Sequence, residues 1–174
     1  MSTSRKPALK ESKAAARAPV FEPARQVLWT RPGYLIRRLN QIHYAMFFEE
    51  CGHESVTPVQ YGILTALSVN PGIDHTTIGL ELGLDRTTTA DVVKRLEQKG
   101  YLERQINPGD RRSRQAFITR EGLRVMSRLQ AGMFAAQDRL LKPLPAADRR
   151  RFVELLALLV QANNQYGRAS VRGI

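Results

Sequence analysis

The chain has 174 residues, 43% of them hydrophobic and 25% charged, and 27 Lys and Arg against 16 Asp and Glu give a net charge of +11. That length and composition fit one globular domain, or a domain with a tail, able to bury a core without disulfide or metal staples. A single cysteine, Cys51, excludes an internal disulfide framework and a four-thiolate zinc site, and the basic balance favours a polyanionic partner, nucleic acid or an anionic membrane.

Residues 1–25 are rich in Ala, Ser, Pro and basic side chains, with six Lys and Arg against two Glu and little to bury. They predict a flexible basic arm, which we extend to residue 31. The arm has no apolar segment of the kind a secretory signal needs. The texture changes at Pro32. Leu35, Leu39, Ile42 and Met46 recur at helical spacing, widened by Tyr34, Ile36, His43 and Phe47, and Gly52 ends the segment. Thr57 then caps a second helix with Pro58 at its first position, and Val59, Ile63, Leu64 and Leu67 form its apolar face before Asn70-Pro71-Gly72 stops it.

Two short helices follow, 76–84 and 85–100, joined by a turn at Gly83. Ile78, Leu80 and Leu82 mark the first, and Val92, Val93 and Leu96 mark the second behind the cap Asp85. A pair joined this way is a helix-turn-helix. The period then falls toward two. Residues 101–107 and 114–119 read as strands, with Leu102, Ile106, Phe117 and Ile118 inward and a turn over 108–113. A hairpin at this point is a wing, tipped by Arg111, Arg112 and Arg114. The last third predicts a long helix, 120–142, carrying Leu123, Met126, Leu129, Met133, Phe134, Leu140 and Leu141. A final helix, 146–166, follows Pro143 and Pro145. Its wide apolar face, with LLALLVQA at 155–162, is too short to span a bilayer of roughly 20 residues. A second copy of the chain is its simplest cover.

The fold class expected is therefore mainly α with a small β wing: a winged helix-turn-helix over 57–119, and a helical dimerisation region over 32–56 and 120–174. A recognition helix places short polar side chains at its N-terminus, where they reach base edges. Arg86, Thr87, Thr88 and Thr89 are such residues. Arginine can take guanine bidentately, and threonine offers a hydroxyl and a methyl for thymine. Lys94 and Arg95, a turn further on, suit phosphates.

The segment DRTTTADVVKRLEQKGYLERQINPGDRRSR (85–114), within this order of elements, resembles the MarR family of bacterial transcriptional regulators, and the resemblance runs over about 33–168. It implies a homodimer on a pseudo-palindromic operator of double-stranded DNA, with half-sites about one helical turn apart. It assigns Arg112 to the minor groove, with Asp110 holding the tip, and leaves Arg111 and Arg114 for phosphate. It also implies an effector pocket between the two lobes. There Arg37, Arg38, Asn40, His43, Tyr44 and Phe47 of the first long helix, Gln60 and Tyr61 of the second, and Met126 and Met133 of the fifth would suit an aromatic ring bearing an acid or thioester. The opening RPGYLIRRLNQIHY looks like members answering to hydroxycinnamoyl-CoA thioesters, p-coumaroyl-CoA among them. At helical spacing, aromatics such as Phe47 and Tyr61 equally suit a core.

A repressor released by such a ligand is the reading that joins these features. An activator, a regulator of another ligand class, and an architectural nucleic-acid-binding protein are the alternatives, and the Arg-tipped wing and apolar last helix speak against the last. No Gly-x-Ser-x-Gly, His-Glu-x-x-His or P-loop appears, so an enzyme is not expected. Neither a metal nor a cofactor is expected: zinc-sensing members of the family draw ligands from later helices, and no histidine follows His75. Cys51 sits at the far end of the first long helix from the reactive cysteine of peroxide-sensing members, and reads as a small buried hydrophobe. The location expected is cytoplasmic, without a membrane partner.

Overall fold

The computed structural model describes residues 22–167 together with Val20 and Ala169. Most of the expected basic arm, and the end of the expected helical region from residue 168 apart from Ala169, lie outside the described residues. In chain order the elements are α1 (Pro23–Trp29), α2 (Pro32–Cys51), α3 (Pro58–Val69), β1 (Ile73–Asp74), α4 (His75–Leu82), α5 (Arg86–Gln98), β2 (Leu102–Asn107), β3 (Asp110–Ile118), α6 (Arg120–Leu141) and α7 (Ala146–Ala162). The fold is mainly helical with one small antiparallel sheet, ordered β1-β3-β2. No helix among the described residues is long and apolar enough to cross a membrane.

Local chemistry starts α3, α4 and α5. Thr57 and Gln60 form a reciprocal capping box at α3, Asp74 accepts from the Thr77 N–H at 2.8 Å, and Asp85 accepts from the Thr88 N–H at 2.8 Å. Gly83, at φ +64°, closes α4 in the left-handed conformation that lets the chain turn into α5. The three helices and the sheet then bury Ile63, Leu64, Leu67, Ile78, Val93, Leu96, Leu102 and Ala116 together.

A second cluster lies where α2 crosses α6, built from Phe47, Cys51, Val56, Val125 and Leu129. Gly132 makes the crossing possible: a Cβ there would stand 2.7 Å from the Glu50 carbonyl oxygen and 2.9 Å from Cys51 Sγ. Cys51 is fully buried, and desolvation holds its thiol above the ordinary value, as a small apolar filler requires.

Several expectations are corrected. Residues 23–29 of the expected flexible arm form α1, started by Pro23 and held by an edge-on contact of Trp29 with Tyr34 at 5.5 Å. Strand β1 is two residues long, too short for any period to show. The wing's turn is tighter than 108–113, since β3 already begins at Asp110. Ile106 is 61% exposed because the hairpin runs out past the helices that cover Leu102. On α6 Gly122, Val125, Leu129 and Ala136 are buried, Gly122 against Tyr101 and Ile118 and Val125 and Leu129 against Phe47 and Cys51 of α2, while Leu123 and Phe134 stay exposed. On α2 only Phe47 and Cys51 are buried, and Leu35, Ile36 and Ile42 are exposed.

Candidate nucleic-acid interface

The cap at Asp85 and the cores of α4 and α5 decide which side of α5 meets solvent. Val93 and Leu96 face inward, so Arg86, Thr87, Ala90, Asp91, Lys94 and Arg95 are exposed. Thr89 does not join them. It is 1% exposed and its hydroxyl donates to the Asp85 carbonyl at 2.9 Å, so the expected base contact from Thr89 is replaced by a packing role. Thr88 is half-buried and donates its hydroxyl to the Asp85 carboxylate at 2.8 Å, which ties it to the cap. Arg86 and Thr87 are thus the free polar side chains of the first turn.

The wing stands beside this helix. Its tip is built by two side chain to backbone bonds: Asn107 accepts from the Gly109 N–H and Asp110 accepts from the Arg112 N–H, both at 2.9 Å. Asp110 therefore shapes the tip, and Arg111, Arg112 and Arg114 are all exposed on it. Between α4, the start of α5 and the wing lies a cleft of about 720 Å³, lined by His75, Thr76, Arg86, Arg104, Arg112 and Arg114 among others. Arg86, Arg112 and Arg114 bring positive charge to this concave surface, where Asp74 also lies and Arg104 is paired with Glu97.

Sequence reasoning missed Arg104 and His75. Arg104 falls at an inward position of β2 and pairs bidentately with Glu97 near the end of α5, which ties α5 to the β2–β3 hairpin. The guanidinium holds the Glu97 carboxyl below the usual range. A charged residue at an inward strand position, seven residues from an acid on the preceding helix, was the available signal.

The ten candidate effector residues divide. Phe47 is a core residue at 2% exposure, and Tyr61 and Met133 pack half-buried against the same cluster, with the Phe47 and Tyr61 rings 6.5 Å apart. Gln60 is buried and its side-chain oxygen is occupied by the Thr57 N–H, so it is a capping residue. Met126 packs against the DNA-lobe core. His43 and Tyr44 meet edge-on at 5.9 Å, while Arg37 lies over the Tyr34 ring at 5.6 Å, Arg38 donates to Gln41 and Asn40 is exposed. The charged members thus make their contacts within α2, with Tyr34 and Gln41. A smaller apolar notch of about 260 Å³ lies between Leu39, Leu140, Leu141, Pro143, Leu144 and Phe152.

Residues 56–113, from the start of α3 to the wing tip, match the model of the MarR family. The PcaV transcriptional regulator of Streptomyces coelicolor, solved in complex with its natural ligand, is 38% identical, with a TM-score of 0.73 over 84% of this chain and 99% of that one. The transcriptional repressor CouR, solved on a 23-mer DNA duplex, is 27% identical, with a TM-score of 0.75 over 80% of this chain and 99% of that one. A transcriptional regulatory protein for the hcr operon of Thauera aromatica is 29% identical over 64% of this chain and 68% of its own length.

Proposed function

The chain belongs to the MarR family of transcriptional regulators, and on that premise we propose that it is a homodimeric repressor, released from a pseudo-palindromic operator by an aromatic acid or its CoA thioester. The observation that carries the DNA reading is the joint exposure of Arg86, Thr87, Lys94 and Arg95 on α5 with Arg111, Arg112 and Arg114 on the wing, on either side of one basic cleft. In this reading α5 enters the major groove, Arg86 reads a base edge, Arg112 enters the minor groove and the remaining cations meet phosphate. Residues 57–119 are the DNA-binding unit, and 32–56 with 120–174 the dimerising one.

Support for the homodimer is α7. None of its 17 residues is buried, and Val153, Leu158, Leu159 and Val160 are each at least half exposed. An apolar helix left bare in one protomer is covered by another. Leu123 and Phe134 on α6 and Leu35 and Ile36 on α2 are exposed apolar residues as well.

Support for the effector class is chemical. Arg37 and Arg38 offer guanidinium groups for a carboxylate or for the phosphates of a CoA tail, and His43, Tyr44 and Tyr61 offer aromatic surface for a ring. An effector releases DNA only through different affinities for the two conformers. Footprinting on the DNA flanking the chain's own gene tests the operator: a protected palindrome supports the repressor, and diffuse coating supports an architectural protein. A shift assay with aromatic acids and their thioesters tests the effector. Thioester release at far lower concentration than the acid, with the gap narrowed by Arg37→Ala and Arg38→Ala, supports the CoA form. Equal potency removes that form and leaves the free acid.

A further inference from the structure

His75 begins α4 and lines the cleft between the recognition helix and the wing. Its Nε2 is shut off from solvent and has no hydrogen-bond partner among the described residues. A buried polar nitrogen without a partner is uncommon, because desolvating it costs free energy that nothing offsets. Every element packed around the ring brings charge to it. Asp74 approaches from β1, Glu97 from α5, Arg104 from β2 and Arg114 from β3.

The two acids are already engaged. Asp74 caps α4 through the Thr77 N–H, and Glu97 is held by Arg104. Burial, and after it the Arg104 charge, hold the imidazole below its ordinary value, so the ring is neutral at pH 7. Phosphates entering this cleft would offset the cationic field that opposes a charge on His75, that of Arg104 first and of the exposed Arg114 after it. They would also bring negative charge that favours imidazolium. Direct contact is not required, since the field at short range through a partly desolvated site suffices.

We propose that His75 couples DNA binding to protonation: the ring takes up solvent protons when duplex phosphates fill the cleft, so DNA affinity rises as pH falls. The three histidines of the chain are His43, His53 and His75. His43 and His53 lie on α2 and just after it, outside the lining of this cleft.

The test uses the full chain and a mixed-sequence duplex at low salt, because phosphate contacts do not depend on finding the operator. Calorimetric titration near pH 7 in buffers of low and high ionisation enthalpy counts the protons taken up. The wild type is expected to take up protons, and His75→Gln to lose most of that uptake. Affinity of the wild type should rise as pH falls, by up to about tenfold per protomer for each unit by which DNA raises the His75 pKa. In histidine-labelled wild-type protein, one of the three imidazole resonances should titrate at higher pH with DNA than without, which needs no variant that has to fold. Equal proton uptake by wild type and His75→Gln, or three imidazoles whose titrations DNA leaves unchanged, would overturn the proposal. Because the duplex carries no operator, neither result depends on whether the chain represses one.

Discussion

Arg112 has two parts with separate duties. Its backbone N–H is fixed by Asp110 at 2.9 Å, while its guanidinium is exposed at the wing tip. Replacing the side chain leaves the backbone bond intact. Arg112→Ala should therefore weaken operator binding by about 1–3 kcal/mol with an unchanged melting temperature; unchanged affinity in a fluorescence titration would remove the minor-groove role. Asp74 bears on stability instead. The Thr77 N–H is the largest influence holding its carboxyl below the usual range. A carboxyl whose folded pKa lies below its unfolded value adds stability above about pH 4 and loses it as pH falls through the folded value. Asparagine caps a helix about as well but does not titrate. Asp74→Asn should be less stable than the wild type at pH 7, and urea unfolding should show the gap closing as pH falls toward 3.

At the scale of elements, the close crossing of α2 and α6 depends on the missing side chain of Gly132. A Cβ there meets the Glu50 backbone oxygen at 2.7 Å, and a backbone atom inside a helix cannot swing aside. Gly132→Val should cost at least about 1–3 kcal/mol in urea unfolding, where a mere change of helix propensity would be slightly stabilising. Which elements could be read in advance follows from the same physics. α3, α4 and α5 carry their stop and start signals in sequence, at Thr57, Asp85 and Gly83, and β2 and β3 carry a two-residue period. α1 was hidden because a Pro-rich, Ala-rich segment has no apolar period to betray a helix. The buried line of α6 was misplaced because that helix has apolar residues on two sides, and spacing alone does not say whether α2 or another surface covers Leu123. The burial of Thr89 is not legible in sequence, because a hydroxyl near a helix start reads the same whether it faces a ligand or its own cap. Arg111, Arg112 and Arg114 were legible because a hairpin tip has no interior to hide them.

On the proposed reading the whole molecule sets a further requirement, because one protomer presents one recognition helix and one wing, whereas a palindrome needs two at fixed spacing. On the homodimer reading, that spacing is held by the surface left bare on α7 rather than by any contact within the DNA lobe. Leu158 and Leu159 are 58% and 54% exposed and lie at the middle of the apolar run. Changing both to Glu would place like charges from two copies in one interface, each stripped of water, and that penalty exceeds what the remaining apolar area restores. Neither side chain belongs to either buried cluster, so the folded protomer should survive, with its circular dichroism and melting cooperativity retained. Sedimentation should then show monomer where the wild type shows dimer. The variant should still bind a single half-site weakly, through its own +11 charge, and its salt slope should fall to about half that of the wild type on the full site, because half as many phosphates are neutralised. A double variant that sediments as a dimer would place the interface elsewhere on the molecule. One that is monomeric yet binds the full palindrome with the wild-type slope would separate operator recognition from dimerisation altogether.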